Sequence, residues 1–282
     1  MSTAADRRRW LAHAAALALS ATPLAGMSAA NPFPSRPIVM WVPWAVGGTT
    51  DVSLRPLAEL ASQTLGQRVL IENRGGAGGT LEMPILQKAE PDGCTLAQMP
   101  QPVFRAPFTR KVQWDPIRDV TPIIQRTGVT FGLLVQAPST LRTLDDLLVF
   151  GRAPPDESSI ATNAVGTTPH VVLEELFTEL GRRDIHVQYK GAAELNLALE
   201  SGQVMAGVMA GVNSTRFGPR VDAGRLRLLV TFAAQCARRW PQVPTLRELG
   251  RDIVAMSPYG LTGPRVIAGR VRLSAASGGS GG

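Results

Sequence analysis

Trp41-Val42-Pro43-Trp44-Ala45-Val46-Gly47-Gly48-Thr49-Thr50-Asp51 is the stretch whose reading decides the fold. Residues 38–42 form an apolar run of strand length, Pro43 and the Gly47-Gly48 pair break it, and Thr49, Thr50 and Asp51 begin a pattern of helical period. The order is strand, glycine turn, helix start. Such a turn leaves several backbone N–H groups without intrahelical partners at the positive end of a helix dipole, which suits an anion. The loop is expected to grip a carboxylate.

Downstream, residues 51–65 read as a helix with apolar Val52, Leu54, Leu57, Ala58, Leu60, Ala61 and Leu65, ended by Gly66, and 69–72 as a second strand. The loop Asn73-Arg74-Gly75-Gly76-Ala77-Gly78-Gly79 follows, then a helix over 80–89, the turn Pro91-Asp92-Gly93 and a strand over 95–99. That glycine loop lacks GxGxxG spacing and follows the second strand, so the dinucleotide motif is absent. Further strands are expected at 123–127, 131–136, 159–162, 185–189, 207–210 and 226–231, with helices at 144–151, 192–201 and 214–223. Thr168 and Pro169 suit the N-cap and first position of another helix, after a second glycine turn at Gly166-Thr167. Alternating strands and helices imply an α/β fold in two halves with mostly parallel sheets, and a ligand cleft between them.

Arg7-Arg8-Arg9, the apolar residues 10–24 and small residues at Ser28-Ala29-Ala30 read as a signal peptide over 1–30. The twin arginines leave either bacterial export route, Sec or Tat, open. The whole chain carries +7, and the first thirty residues hold three Arg against one Asp, which leaves +5 for the rest. Those charges are scattered, without the long basic run of a nucleic-acid surface; no nucleic-acid partner is expected. Cys94 and Cys236 lie far apart and read as two separate thiols, although spacing leaves a disulfide open. With His170 and His186 as the only histidines beyond the leader and no Cys pair at ligand spacing, neither metal nor other cofactor is expected.

Ordered segments across residues 33–263 resemble one family: Pro34-Ser35-Arg36-Pro37-Ile38, Val42-Pro43 through Gly47-Gly48 to Asp51, Glu72-Asn73-Arg74 with Gly76-Ala77-Gly78-Gly79, Pro91-Asp92-Gly93, Trp114-Asp115-Pro116, Val187-Gln188-Tyr189-Lys190-Gly191, Ser201-Gly202-Gln203-Val204 and Ala223-Gly224-Arg225-Leu226-Arg227. They are similar to the Bug (TctC-like) extracytoplasmic solute receptors of tripartite tricarboxylate transporters. The resemblance implies a type II periplasmic-binding-protein fold that reversibly captures a small carboxylate, a di- or tricarboxylate or an aromatic acid, without covalent chemistry. It implies a periplasmic monomer whose partners are the membrane subunits of the transporter.

Carried over by position, the ligand contacts fall on Trp44, Ala45, Val46, Gly47, Gly48 and Thr49, on Gln98 and Met99, on Gly166, Thr167 and His170, and on Ala210. Backbone amides and hydroxyls are expected to hold the carboxylate. His170 reads two ways, as a ligand contact or as a loop-fixing hydrogen-bond partner. Asp51 is expected to stabilise the helix dipole with its carboxylate turned away from the anion. Residues 205–211 hold no charge, which argues against capture of an amino group, and Met99-Pro100-Gln101-Pro102 reads as an apolar turn. The implied division is a first domain over 31–129, a second over 130–232, an incomplete return segment over 233–269 and a Ser/Gly-rich tail over 270–282, as of a truncated or frameshifted end. Two other readings stand beside the receptor: an exported hydrolase using Ser158, Ser159, His170 and Asp156, although no GxSxG elbow is present, and a ligand-sensing effector domain.

Overall fold

The computed structural model describes residues 33–150, 159–179, 181, 185–189, 191–211 and 217–266, all within one compact unit. The expected leader (1–30) and tail (270–282) lie outside the described residues, as do Asp156 and Ser158.

The first half runs β1 (Ile38–Val42), α1 (Thr49–Leu65), β2 (Val69–Asn73), α2 (Met83–Lys88), β3 (Thr95–Met99) and α3 (Gln101–Thr109). Along β1 alternate residues turn inward: Ile38, Met40 and Val42 are buried against Leu54 and Leu57 of α1 and Leu96 of β3. Each such side chain contributes roughly 1.5–3 kcal/mol by leaving water. β1 pairs parallel with β2 and with β3. Gly66 ends α1 in the left-handed conformation, with φ 65°.

Helix α3 occupies residues read from sequence as an apolar turn, because Pro100 and Pro102 resemble a break. Pro100 is in fact the N-cap and Pro102 sits in the first turn, where a missing N–H costs no helical bond.

β4 (Val120–Gln136) corrects a second expectation, since it is one strand where two were read at 123–127 and 131–136. The apparent break at Gly128 is a register shift within the pairing to β9, just before the strand changes partner. Up to Thr130 the strand pairs antiparallel with β9 (Met256–Pro264), and from Phe131 with β7 (Ala206–Ala210) and β8 (Leu226–Thr231). A Cβ on Gly128 would meet the Pro258 backbone nitrogen at 3.0 Å, so the close approach requires glycine.

The second half adds α4 (Leu144–Phe150), β5 (Ser159–Thr162), α5 (Thr168–Glu179), β6 (Ile185–Gln188), α6 (Ala192–Glu200) and α7 (Gly218–Asp222), the last followed by β8. β5 pairs parallel with β6 and β7. The strand order is β2-β1-β3-β9-β4-β7-β5-β6, with β8 also on β4. Parallel βαβ flanks are thus joined through an antiparallel centre. Residues 237–255 pack in the second half: Ala237, Trp240 and Val243 join Leu195 and Phe217, while Leu246, Ile253 and Ala255 join Phe131 and Leu176. β9 then returns to β3. Cys94 and Cys236 are both free thiols.

Glu82, just before α2, is 2 % exposed and neither carboxyl oxygen has a hydrogen-bond partner. Burial pushes its pKa up to about 8. The unfolded chain ionises this group near 4.5, so between that pH and about 8 the unfolded state binds fewer protons and stability falls as pH rises. Glu82→Met, which removes the buried acid, is expected to stabilise the fold by a margin that widens from pH 5 to about a few kcal/mol at pH 8, and to raise the melting temperature accordingly. Thermal melts of both proteins at the two pH values check this; a margin independent of pH contradicts it.

Candidate ligand-binding site

A cavity of about 90 Å³ lies between the two halves, with room for several water molecules. The first half supplies Trp44, Ala45, Val46, Gly48, Thr49, Thr50, Gln98, Pro100 and Pro102; the second supplies Asn163, Thr167, Thr168, Pro169, Gly191, Ala192, Ala193 and Ala210. Val129 and Phe131 of β4 and Ser257 and Tyr259 of β9 complete the wall. No Asp, Glu, Lys, Arg or His is among these described lining residues.

Four helices begin at this wall: α1 at Gly48–Thr50, α3 at Pro100–Pro102, α5 at Thr167–Pro169 and α6 at Gly191–Ala193. First-turn amides have no intrahelical acceptor and carry the positive end of the dipole. At α3 the N–H is missing from Pro102, so that helix adds apolar wall and dipole more than donors. The positive character of the cavity therefore comes from backbone and not from side-chain charge.

The first loop is held rigidly. Asp51, 1 % exposed, accepts from Gly47 N–H at 2.7 Å and from both Nε (3.1 Å) and Nη2 (2.9 Å) of Arg55. Burial alone would raise its pKa, but Arg55, Gly47 and Asn73 together hold the carboxyl below the usual range. Asp51 is absent from the cavity lining, in keeping with a carboxylate turned away from the anion, but it turns into its own loop and consumes the Gly47 amide assigned to the ligand. Gly48 N–H is likewise spent, on Ala45 O at 3.1 Å. Asn73 at the end of β2 donates to Trp44 O at 3.1 Å, and the Trp44 indole donates to Gln98 Oε1 at 3.0 Å. Gly79 makes room for that indole, since a Cβ there would lie 2.9 Å from Trp44 Cη2. The Gln98 amide is thereby oriented at the cavity wall.

The two halves touch at several points. Arg105 Nη1 donates to Thr168 Oγ1 at 2.9 Å, and Thr168 Oγ1 donates to Gln101 Oε1 at 2.6 Å. Thr49 Oγ1 donates to Ala210 O at 3.3 Å. Thr167 Oγ1 donates to Ala164 O at 2.7 Å. The hydroxyls of Thr49, Thr167 and Thr168 thus serve protein acceptors, which leaves first-turn amides and the remaining side-chain donors of the wall, Gln98 among them, for an anion.

Of the residues expected at the site, Trp44, Ala45, Val46, Gly48, Thr49, Gln98, Thr167 and Ala210 line the cavity. Gly47, Met99, Gly166 and His170 do not. Met99 is packed in the core with Met83 and Val103, because the inward side of β3 at that residue faces α2 and α3. The His170 ring packs tilted against that of His186, centroids 4.5 Å apart and planes at 59°, and its Nε2 lies 3.7 Å from Glu174. His186 contacts Thr162 Oγ1 at 2.6 Å, and burial, then the neighbouring His170, lowers its pKa. The pair buttresses the end of β5 from outside the cavity. Sequence reasoning placed the helix at 192–201 but did not assign its start, or that of α3, to the site, nor Asn163, Ser257 and Tyr259. The Gly191 N-cap after a strand was a usable signal; β9 residues reach the wall only through long-range pairing.

The model of the tripartite tricarboxylate transporter family receptor, TctC, matches residues 53–273. The UPF0065 protein in the gbd 5'region of Cupriavidus necator is 41% identical over 264 residues, covering 92% of this chain and 80% of the relative. Protein BugT of Bordetella pertussis is 30% identical, covering 84% and 72%. Among solved structures, MatC from Rhodopseudomonas palustris with bound malate superimposes with a TM-score of 0.80 at 27% identity, covering 88% of this chain and 84% of that one. A second R. palustris protein, with adipate, gives 0.79 at 28% identity, covering 88% and 83%.

Gly211 lies against α1 with φ 69°, and a Cβ there would meet Thr49 Cγ2 at 2.6 Å. Gly211→Ala is expected to wedge the halves apart at a backbone cost of about 1–2 kcal/mol. Small-angle scattering should show a larger radius of gyration with an unchanged far-UV circular dichroism spectrum; an unchanged radius contradicts the wedge.

Proposed function

Because the chain belongs to the tripartite tricarboxylate transporter receptor family, we propose that it captures a small organic carboxylate between its two halves and releases it unchanged. The observation that carries this reading is the convergence of helix starts on a cavity whose described lining has no charged side chain. Such a wall favours any carboxylate through amides and dipoles, and leaves the choice among acids to cavity shape. Trp44, Pro100, Pro102, Phe131 and Tyr259 make that shape substantially apolar, which suits a di- or tricarboxylate with a hydrocarbon spine or an aromatic acid. Relatives solved with malate and with adipate support the same class.

In this reading the two halves, about 31–129 and 130–232 with 233–255 packed on the second, close over the ligand about the centre of β4. The receptor works in the periplasm after export, as a monomer, and hands its ligand to the membrane subunits of a tripartite transporter. It performs no chemistry on the ligand. A hydrolase is disfavoured because His170 is engaged with His186 and Glu174 outside the cavity.

Thermal-shift screening against dicarboxylates, tricarboxylates and aromatic acids tests the proposal. A ligand bound only by the folded state stabilises it by about 2.7 kcal/mol at a hundred times its Kd. At least one acid is expected to raise the melting temperature and to be recovered intact. A panel without any shift, or turnover of the bound acid, overturns the reading.

A further inference from the structure

The bonds that join α3 to the start of α5 differ in kind from the Thr49 contact between the halves, because a cation takes part. Arg105, on α3, is half-buried and does not line the cavity. Its Nη1 donates to Thr168 Oγ1 and its Nη2 to Gln101 Oε1, each at 2.9 Å, while Thr168 Oγ1 donates to Gln101 Oε1 at 2.6 Å. The polarity of this ring is forced. A guanidinium only donates, so the threonine oxygen accepts from it and the threonine proton is left for Gln101. Gln101 Nε2 in turn donates to Met256 O, at the start of β9, at 3.4 Å.

Hydrogen bonds from a charged donor are roughly twice as strong as neutral ones, and the neutral bond from Thr49 Oγ1 to Ala210 O is longer, at 3.3 Å. Among the described residues no carboxylate pairs with Arg105, and burial lowers its pKa. When the halves part, the guanidinium regains water, which offsets much of the bonding it gives up. The ring therefore holds the halves together without locking them.

Resting on the receptor reading above, we infer that Arg105 is a positioning residue for ligand retention: acting through Thr168, it clamps the start of α5 to α3 while the acid is enclosed and so sets the rate at which the acid leaves. Its loss is expected to speed release about tenfold, the effect of one charge-assisted hydrogen bond. Capture is expected to change little, because the ring forms only after the halves have met.

Stopped-flow tryptophan fluorescence, with Trp44 in the cavity wall as reporter, measures capture and release of malate, succinate, adipate, citrate, tricarballylate and benzoate. For the acid that the wild-type chain holds most tightly, Arg105→Met keeps the apolar stem, removes the donors, and is expected to release about tenfold faster with association within about twofold of wild type. Arg105→Lys, which restores a charged donor, is expected to recover most of the slow release. An unchanged release rate in Arg105→Met, a loss confined to association or to the fraction of active protein, or an Arg105→Lys that releases as fast as Arg105→Met overturns the inference and leaves the receptor reading intact. Binding of none of the six acids overturns both. Should Arg105→Met fail to fold by circular dichroism, Gln101→Leu, which removes the acceptor shared by Arg105 and Thr168, takes its place with the same expected rates.

Discussion

The structure depends on one strand belonging to two sheets. β4 gives its first residues to β9 and its last to β7 and β8, so the halves share a continuous backbone at the point where the cavity opens. Extended chain cannot rotate freely while both ends remain laddered. The stretch around Gly128 is irregular: the register shifts there and the Pro258 backbone comes close. The same stretch supplies Val129 and Phe131 to the cavity wall, which ties the geometry of the site to the geometry of the join.

Around that join, attraction for an anion is generated without burying a charge. A buried Lys or Arg facing an empty site would carry a desolvation penalty whenever the ligand was away. Amides at helix starts avoid this, because their partial charges are fixed by the helices that bear them. The ion pair near the site, Asp51 with Arg55, is spent on shaping the first loop. Rigidity has the same source throughout: Asn73 holds Trp44, Trp44 orients Gln98, and His186 supports the end of β5. Glu82 stands apart as a buried acid without a partner.

Much of the fold was legible in local pattern. The alternation in Ile38-Val39-Met40-Trp41-Val42, the break at Gly47-Gly48 and the helix signal at Thr168-Pro169 specify their elements from neighbouring residues alone, and the structure follows them closely. The misreadings arose where local signals were ambiguous. Proline at a helix start and proline at a turn look alike, which concealed α3. A glycine inside a strand reads as its end, which split β4.

At the site, sequence by itself determined that glycine turns precede two helices and that few charges lie near them, because both are properties of adjacent residues. It determined the family as well, through ordered short segments along most of the chain. Only the tertiary structure decided which donors remain for a ligand. Gly47 N–H is taken by a carboxylate four residues away, and Thr168 meets Gln101 across 67 positions of chain. Tyr259 and Ser257 reach the wall by strand pairing. Hydrogen-bond satisfaction is a property of the packed molecule, so a sequence can name the groups that bind but not those still free to do so.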